Sequence, residues 1–140
     1  MRYITLGSRE ASVIGLGTWQ IGTRYWGWGT EFGPDNVSAF LDAARDASIN
    51  LIDTAEIYGQ GESERQLGSN LPPDDDHFLI ASKASPWHLT ALGVRRAADN
   101  SLQRLQRTSI HLYQVHFPNL LIPLTRTMAG MRTLQSKGMV

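Results

Sequence analysis

Apolar and polar residues follow two periods along this chain, and the period switches at regular intervals. Short apolar runs predict strands over residues 13–18, 49–53, 78–83 and 110–116. Between them the apolar positions recur every three to four residues. Val37, Phe40, Leu41, Ala44 and Ala47 mark one face of a helix entered through Pro34 and Asp35. Ser63 and Gln66 have capping-box spacing and predict the start of a short helix ending near Gly68. Val94, Ala98, Leu102 and Leu105 line a helix over about 90–106. Pro123 opens the last helix, with Leu124, Met128, Met131 and Leu134 along one face and Lys137 and Gly138 at its end. A hairpin pairing 2–6 with 11–14 precedes the first of these strands, and Met139 and Val140 read as the first residues of a fifth.

The resulting order is four strand–helix pairs. Consecutive parallel strands need a helical crossover, so this order predicts a parallel α/β sheet. Repetition alone does not separate half of an eight-fold (β/α)8 TIM barrel from an open doubly wound sheet. One segment breaks the rhythm: residues 19–33, rich in glycine and tryptophan, form a loop long enough to be functional or mobile.

Composition narrows the function. Thirteen basic residues balance thirteen acidic ones in a chain of 140, which leaves no electrostatic footprint for nucleic acid or an anionic membrane. The hydrophobic share of 41% suits a single domain with a real core. There is no cysteine, which removes disulfides and thiol catalysis. No apolar run approaches a membrane span or a signal peptide, so a soluble cytoplasmic protein is expected.

The chemistry concentrates at the strand ends. Asp53, Lys83 and His116 each stand at the carboxyl end of a predicted strand, and Tyr58 follows Asp53 in the adjoining loop. Side-chain alternation puts Asp53 on one face with Leu51, Lys83 with Leu79 and Ala81, and His116 with Leu112 and Gln114. All three polar ends can then face one mouth, although Gln114 below them has no evident partner. A tyrosine hydroxyl is a poor proton donor at neutral pH, and a neighbouring ammonium favours its ionised form. Lys83 can supply that field, Asp53 can hold the lysine, and a neutral His116 can donate a hydrogen bond to a substrate carbonyl. Each residue alone has an ordinary explanation as a turn, surface or structural residue; their coincidence at matching strand ends points to a site. His111 and His116 face opposite sides of their strand, so no shared metal is expected. The scattered glycines give no dinucleotide fingerprint. Trp19, Trp26 and Trp28 fit either plain packing or a substrate wall.

The run Ile52-Asp53-Thr54-Ala55-Glu56-Ile57-Tyr58-Gly59, continuing to Gly61-Glu62-Ser63-Glu64, resembles the signature of the aldo-keto reductase family. Leu16-Gly17-Thr18-Trp19, Ser82-Lys83 and Val115-His116 complete that likeness along essentially the whole chain. The resemblance implies a (β/α)8 barrel capped below by the hairpin, with about the first four βα units present in residues 1–140. It implies hydride transfer between NADPH and an aldehyde or ketone across the barrel mouth. By position it makes Tyr58 the proton donor, Lys83 its activator, Asp53 the partner of Lys83, and His116 the residue that orients the substrate. Thr18, Trp19 and Asp53 would lie against the nicotinamide-ribose, and Trp19, Trp26, Trp28 and Trp87 would line the substrate pocket.

A barrel of this type takes roughly 250 residues. The chain is therefore expected to be truncated relative to the family's barrel, to lack the family's carboxamide, phosphate and adenine contacts, and to pair with itself or with a second half. The alternative function is a non-enzymatic regulatory or scaffold protein on the same fold, like the potassium-channel β-subunits that resemble this family.

Overall fold

A computed structural model describes all 140 residues. The chain opens with an antiparallel hairpin, β1 (Tyr3–Leu6) paired with β2 (Arg9–Ser12) in the register Tyr3↔Ser12 to Leu6↔Arg9. The second strand starts two residues before the expected 11–14. Gly7, at φ +61°, takes the left-handed conformation of a two-residue turn with Ser8, and so tight a reversal forces pairing to begin at Arg9.

The remaining strands are β3 (Gly15–Gly17), β4 (Leu51–Asp53), β5 (Leu79–Ala84) and β6 (Leu112–Val115), which form one parallel sheet in sequence order. Each crossover carries a helix: α1 (Val37–Asp46), α2 (Glu62–Asn70) and α3 (Ala91–Leu105), with α4 (Leu124–Ser136) after β6. The ends of α3 match its sequence well. The Thr90 hydroxyl accepts a hydrogen bond from the Gly93 N–H at 3.0 Å, and Gln106 closes the helix at φ 54°.

Met139 and Val140 do not form a strand. The Met139 carbonyl does accept the Ile110 N–H at 2.9 Å, where a strand added beside β6 would begin.

The two faces of the sheet differ. Ile52 and Ile80 point toward the helices and join Val37, Leu41, Leu67 and Phe78 in the main core. Ala84 points the same way, into a second core with Val94, Ala98, Met131 and Leu134 under α3 and α4. Parallel register sets Asp53 beside Ala81, Ala81 beside Leu112, and Lys83 beside Gln114, so these side chains share the opposite, helix-free face. The outer edges of β3 and β6 carry no partner strand. Beyond β6, Leu120, Leu121, Leu124 and Met128 are exposed. No helix is long and apolar enough to cross a membrane.

Candidate active site

Asp53 ends β4 and Lys83 lies one residue before the end of β5, on neighbouring strands and on the same face. Lys83 Nζ stands 2.7 Å from Asp53 Oδ1 and donates to the Thr54 carbonyl, also at 2.7 Å. It donates as well to Tyr58 Oη at 3.4 Å and lies 5.0 Å from the centre of the Tyr58 ring. The ammonium is thus held from two sides and directed at the phenol. His116, immediately after β6, completes the group with its ring edge-on to Tyr58, 5.5 Å between centres.

Burial pushes the His116 imidazole below its ordinary pKa, and the Lys83 ammonium adds to that; Asp53 and Glu56 pull the other way without cancelling it. Both shifts favour the neutral ring, whose Nδ1 is buried and unpartnered.

A cavity of about 820 Å³ opens over Tyr58 and His116, walled by Trp19, Ile57 and Phe117 and rimmed by Arg24. Its shape depends on two loops in direct backbone contact. Gly59 has φ +56° and Gly22 φ +82°, and a Cβ on Gly59 would fall 2.6 Å from the Gly22 Cα. Only two glycines permit that approach, and it seats the loop bearing Trp19 against the loop bearing Tyr58.

The tryptophans separate. Trp19 is 52% exposed on the cavity wall, 6.3 Å from the Tyr58 ring. Trp26 meets Trp19 edge-on at 5.2 Å and buttresses it from outside. Trp28 packs on Phe32 and against the main core, away from the wall expected for it. Trp87 sits exposed in the turn Pro86–His88, also off the cavity lining. Thr18 is 1% exposed; its hydroxyl donates to the Asp53 carbonyl at 3.0 Å and accepts from Ser63 at 2.7 Å. That hydroxyl fastens β3 to β4 and α2 rather than facing the mouth.

Ser63 departs most from expectation. The capping-box spacing placed it at a helix start, but α2 begins one residue earlier, after Gly61 at φ 86°. Ser63 lies inside the helix, fully buried, hydrogen bonded to both Thr18 and Thr54. Two further residues carry weight that sequence reasoning missed. Glu56 accepts the Ser85 N–H at 2.6 Å and pairs with His88 Nδ1 at 3.0 Å, which ties the Tyr58 loop to the Pro86–His88 turn. Glu64, 0% exposed, accepts from Ser82 at 2.5 Å and from Arg104 Nε at 2.7 Å. Both lie in the quoted run around Tyr58, which was the available signal.

Residues 13–140 match the family model described as Aldo/keto reductase family. The chain belongs to the aldo/keto reductase family. An uncharacterized oxidoreductase of Mycobacterium bovis is 40% identical over 139 residues, covering 99% of this chain and 43% of that protein. An aldo-keto reductase of Bacillus subtilis is 38% identical, covering 94% of this chain and 42% of its own length. Among solved structures, the aldo-keto reductase of Klebsiella pneumoniae in complex with NADPH is similar with a TM-score of 0.80 and 33% identity, covering 93% of this chain and 43% of that one. This aldo-keto reductase chain therefore spans less than half the length of these three relatives.

Proposed function

We propose that this chain supplies the catalytic centre of an NADP-dependent carbonyl reductase and forms the amino-terminal half of its barrel domain. The observation that carries this reading is the Lys83 ammonium, bound by Asp53 at 2.7 Å and directed at the Tyr58 hydroxyl at 3.4 Å beneath an open cavity.

The residues at the mouth fit the reactive end of a nicotinamide cofactor. Trp19 offers a flat, half-exposed apolar ring beside Tyr58, and the Asp53 carboxylate is 44% exposed, which leaves it able to accept from a ribose hydroxyl. When bound, reduced nicotinamide supplies a hydride to the carbonyl carbon. Tyr58 donates its proton to the carbonyl oxygen as negative charge develops there. Lys83 stabilises the phenolate left behind, and Asp53 with the Thr54 carbonyl keeps the ammonium in place. His116, neutral, donates a hydrogen bond from Nε2 to the same oxygen and fixes the direction of attack. The reverse sequence oxidises an alcohol, with Tyr58 as the base.

The test is a titration of the purified chain with NADPH followed by nicotinamide fluorescence, with benzaldehyde added at the end. Saturable binding followed by loss of the reduced-nicotinamide signal is expected when the mouth is complete or completed by association. An unchanged signal in every oligomeric state of the chain would leave its family membership standing and contradict catalysis by this chain without a second half.

A further inference from the structure

The rim of the cavity carries one charge that the reduction itself does not use. Arg24 lines the mouth with Tyr58 and His116, yet it takes part in none of the ion pairs of the protein. Its guanidinium donates to no other residue either, although Arg45, Arg65, Arg104 and Arg107 all hold partners. No carboxylate lines the cavity beside it. The Asp53 carboxylate of the site is already paired with Lys83.

The backbone turn that carries Arg24 is anchored on both sides. Arg24 begins the turn Arg24–Trp26, whose Trp26 packs edge-on against Trp19 at 5.2 Å, while Gly22, two residues upstream, is in backbone contact with Gly59. The turn is therefore anchored at the mouth, and its guanidinium is an exposed, unpaired donor fork beside the aromatic residues of the cavity.

We propose that Arg24 forms an anion subsite that selects carbonyl substrates bearing a carboxylate or comparable anionic group at the end remote from the reacting carbon. The proposal rests on the reductase reading above. The carbonyl meets Tyr58 and His116, the body of the substrate lies along Trp19 and Phe117, and the anionic end receives the guanidinium's paired N–H donors. A neutral substrate of the same shape leaves that fork to water and gains only the apolar contacts.

The pair that tests this is para-carboxybenzaldehyde and its methyl ester, which share ring, length and carbonyl reactivity but differ in charge. Binding to the 140-residue chain is read first by quenching of tryptophan fluorescence, which needs neither cofactor nor turnover. The acid is expected to bind about tenfold more tightly than the ester, a modest ratio because an exposed guanidinium is screened by water. The ratio should fall towards one in Arg24→Ala, be partly restored in Arg24→Lys, and shrink for the native protein in about 1 M salt. Equal binding of acid and ester, or no binding of either, overturns the subsite. So does a preference for the acid that survives Arg24→Ala.

NADPH is titrated against the same variants, because its phosphates could also seek a free arginine. Loss of NADPH binding in Arg24→Ala, with the acid preference kept, assigns the guanidinium to the cofactor and overturns the proposal. Turnover separates this idea from the one beneath it. If both aldehydes are reduced at equal efficiency, the subsite fails and the reductase stands. If the acid is bound through Arg24 but neither aldehyde is reduced, the subsite stands and the reductase reading fails.

Discussion

Two polar clusters lie back to back on the same sheet, and adjacent residues of β5 feed both of them. Ser82 points to the helix-covered side, where its hydroxyl meets Glu64 and, through it, Arg104. Lys83 points to the open side, where it meets Asp53 and Tyr58. Glu64 is fully buried and its carboxylate is matched on both oxygens. On the open side the Asp53 carboxylate is 44% exposed and the phenol is reached only at 3.4 Å. A closed, fully matched cluster fixes the angle between β5, α2 and α3; an open one with donors still free can act on a ligand. Both contain a cation and a carboxylate, so charge alone does not separate a site from a strut.

The sharpest way to break this comparison is to remove one charged side chain from each side. Lys83→Met is expected to lower aldehyde reduction about a thousand-fold, the order found when a charge-stabilising donor is lost, with little change in melting temperature. Its partner Asp53 can be rehydrated from the mouth. Unfolding of this variant would place Lys83 among the struts.

Glu64→Ala should do the reverse. It leaves the Arg104 guanidinium, only 21% exposed, without its carboxylate and should cost about 3 kcal/mol in denaturant unfolding, as breaking a buried pair does. A neutral result would mean that α2 and α3 are held by apolar packing alone.

Ser63→Ala sharpens the comparison at smaller scale. The buried hydroxyls of Thr18 and Thr54 lose their shared partner, and a loss of about 1–2 kcal/mol is expected. Because Thr18 also anchors the end of β3, the KM for NADPH should rise in the same variant.

The smallest effect is one of pH. Burial, with the charges of Arg9 and Arg107, holds His111 below its ordinary pKa, and burial with Lys83 does the same for His116. His111 Nδ1 also accepts the Ile80 N–H at 3.1 Å, a bond that protonation removes. The unfolded chain, in which histidine titrates near about 6.5, therefore binds protons more readily than the folded one on the acid side. The stability these neutral rings provide is full above that value and is lost as pH falls through it towards their lower folded-state values. Thermal melts should decline over that window, and less steeply in His111→Gln.

Much of the fold was legible because its signals are local and repeat. Val94, Ala98, Leu102 and Leu105 recur at helical spacing, and all are buried in α3. The alternation of Leu51 with Asp53, and of Leu79 and Ala81 with Lys83, correctly grouped the inner face, since parallel strands keep side chains in register. Ser63 was misread because capping spacing is a local pattern, whereas its hydroxyl is claimed by Thr18, 45 residues away. Trp28 was legible only as an aromatic in a glycine-rich loop; its contacts with Phe32 and the core follow from loop geometry that no periodicity encodes. The Glu56 link to Ser85 and His88 was invisible for the same reason, as it joins two loops brought together by neighbouring strands.

The central claim, that the open cluster performs chemistry through the Tyr58 hydroxyl, is tested most directly by Tyr58→Phe. One oxygen is removed from a ring whose packing against Trp19 and His116 stays in place. In this variant NADPH is expected still to bind, melting to be unchanged, and reduction of benzaldehyde to fall by at least about a hundred-fold. Turnover by the phenylalanine variant at the native rate would contradict that claim and would leave the cluster without its proton donor.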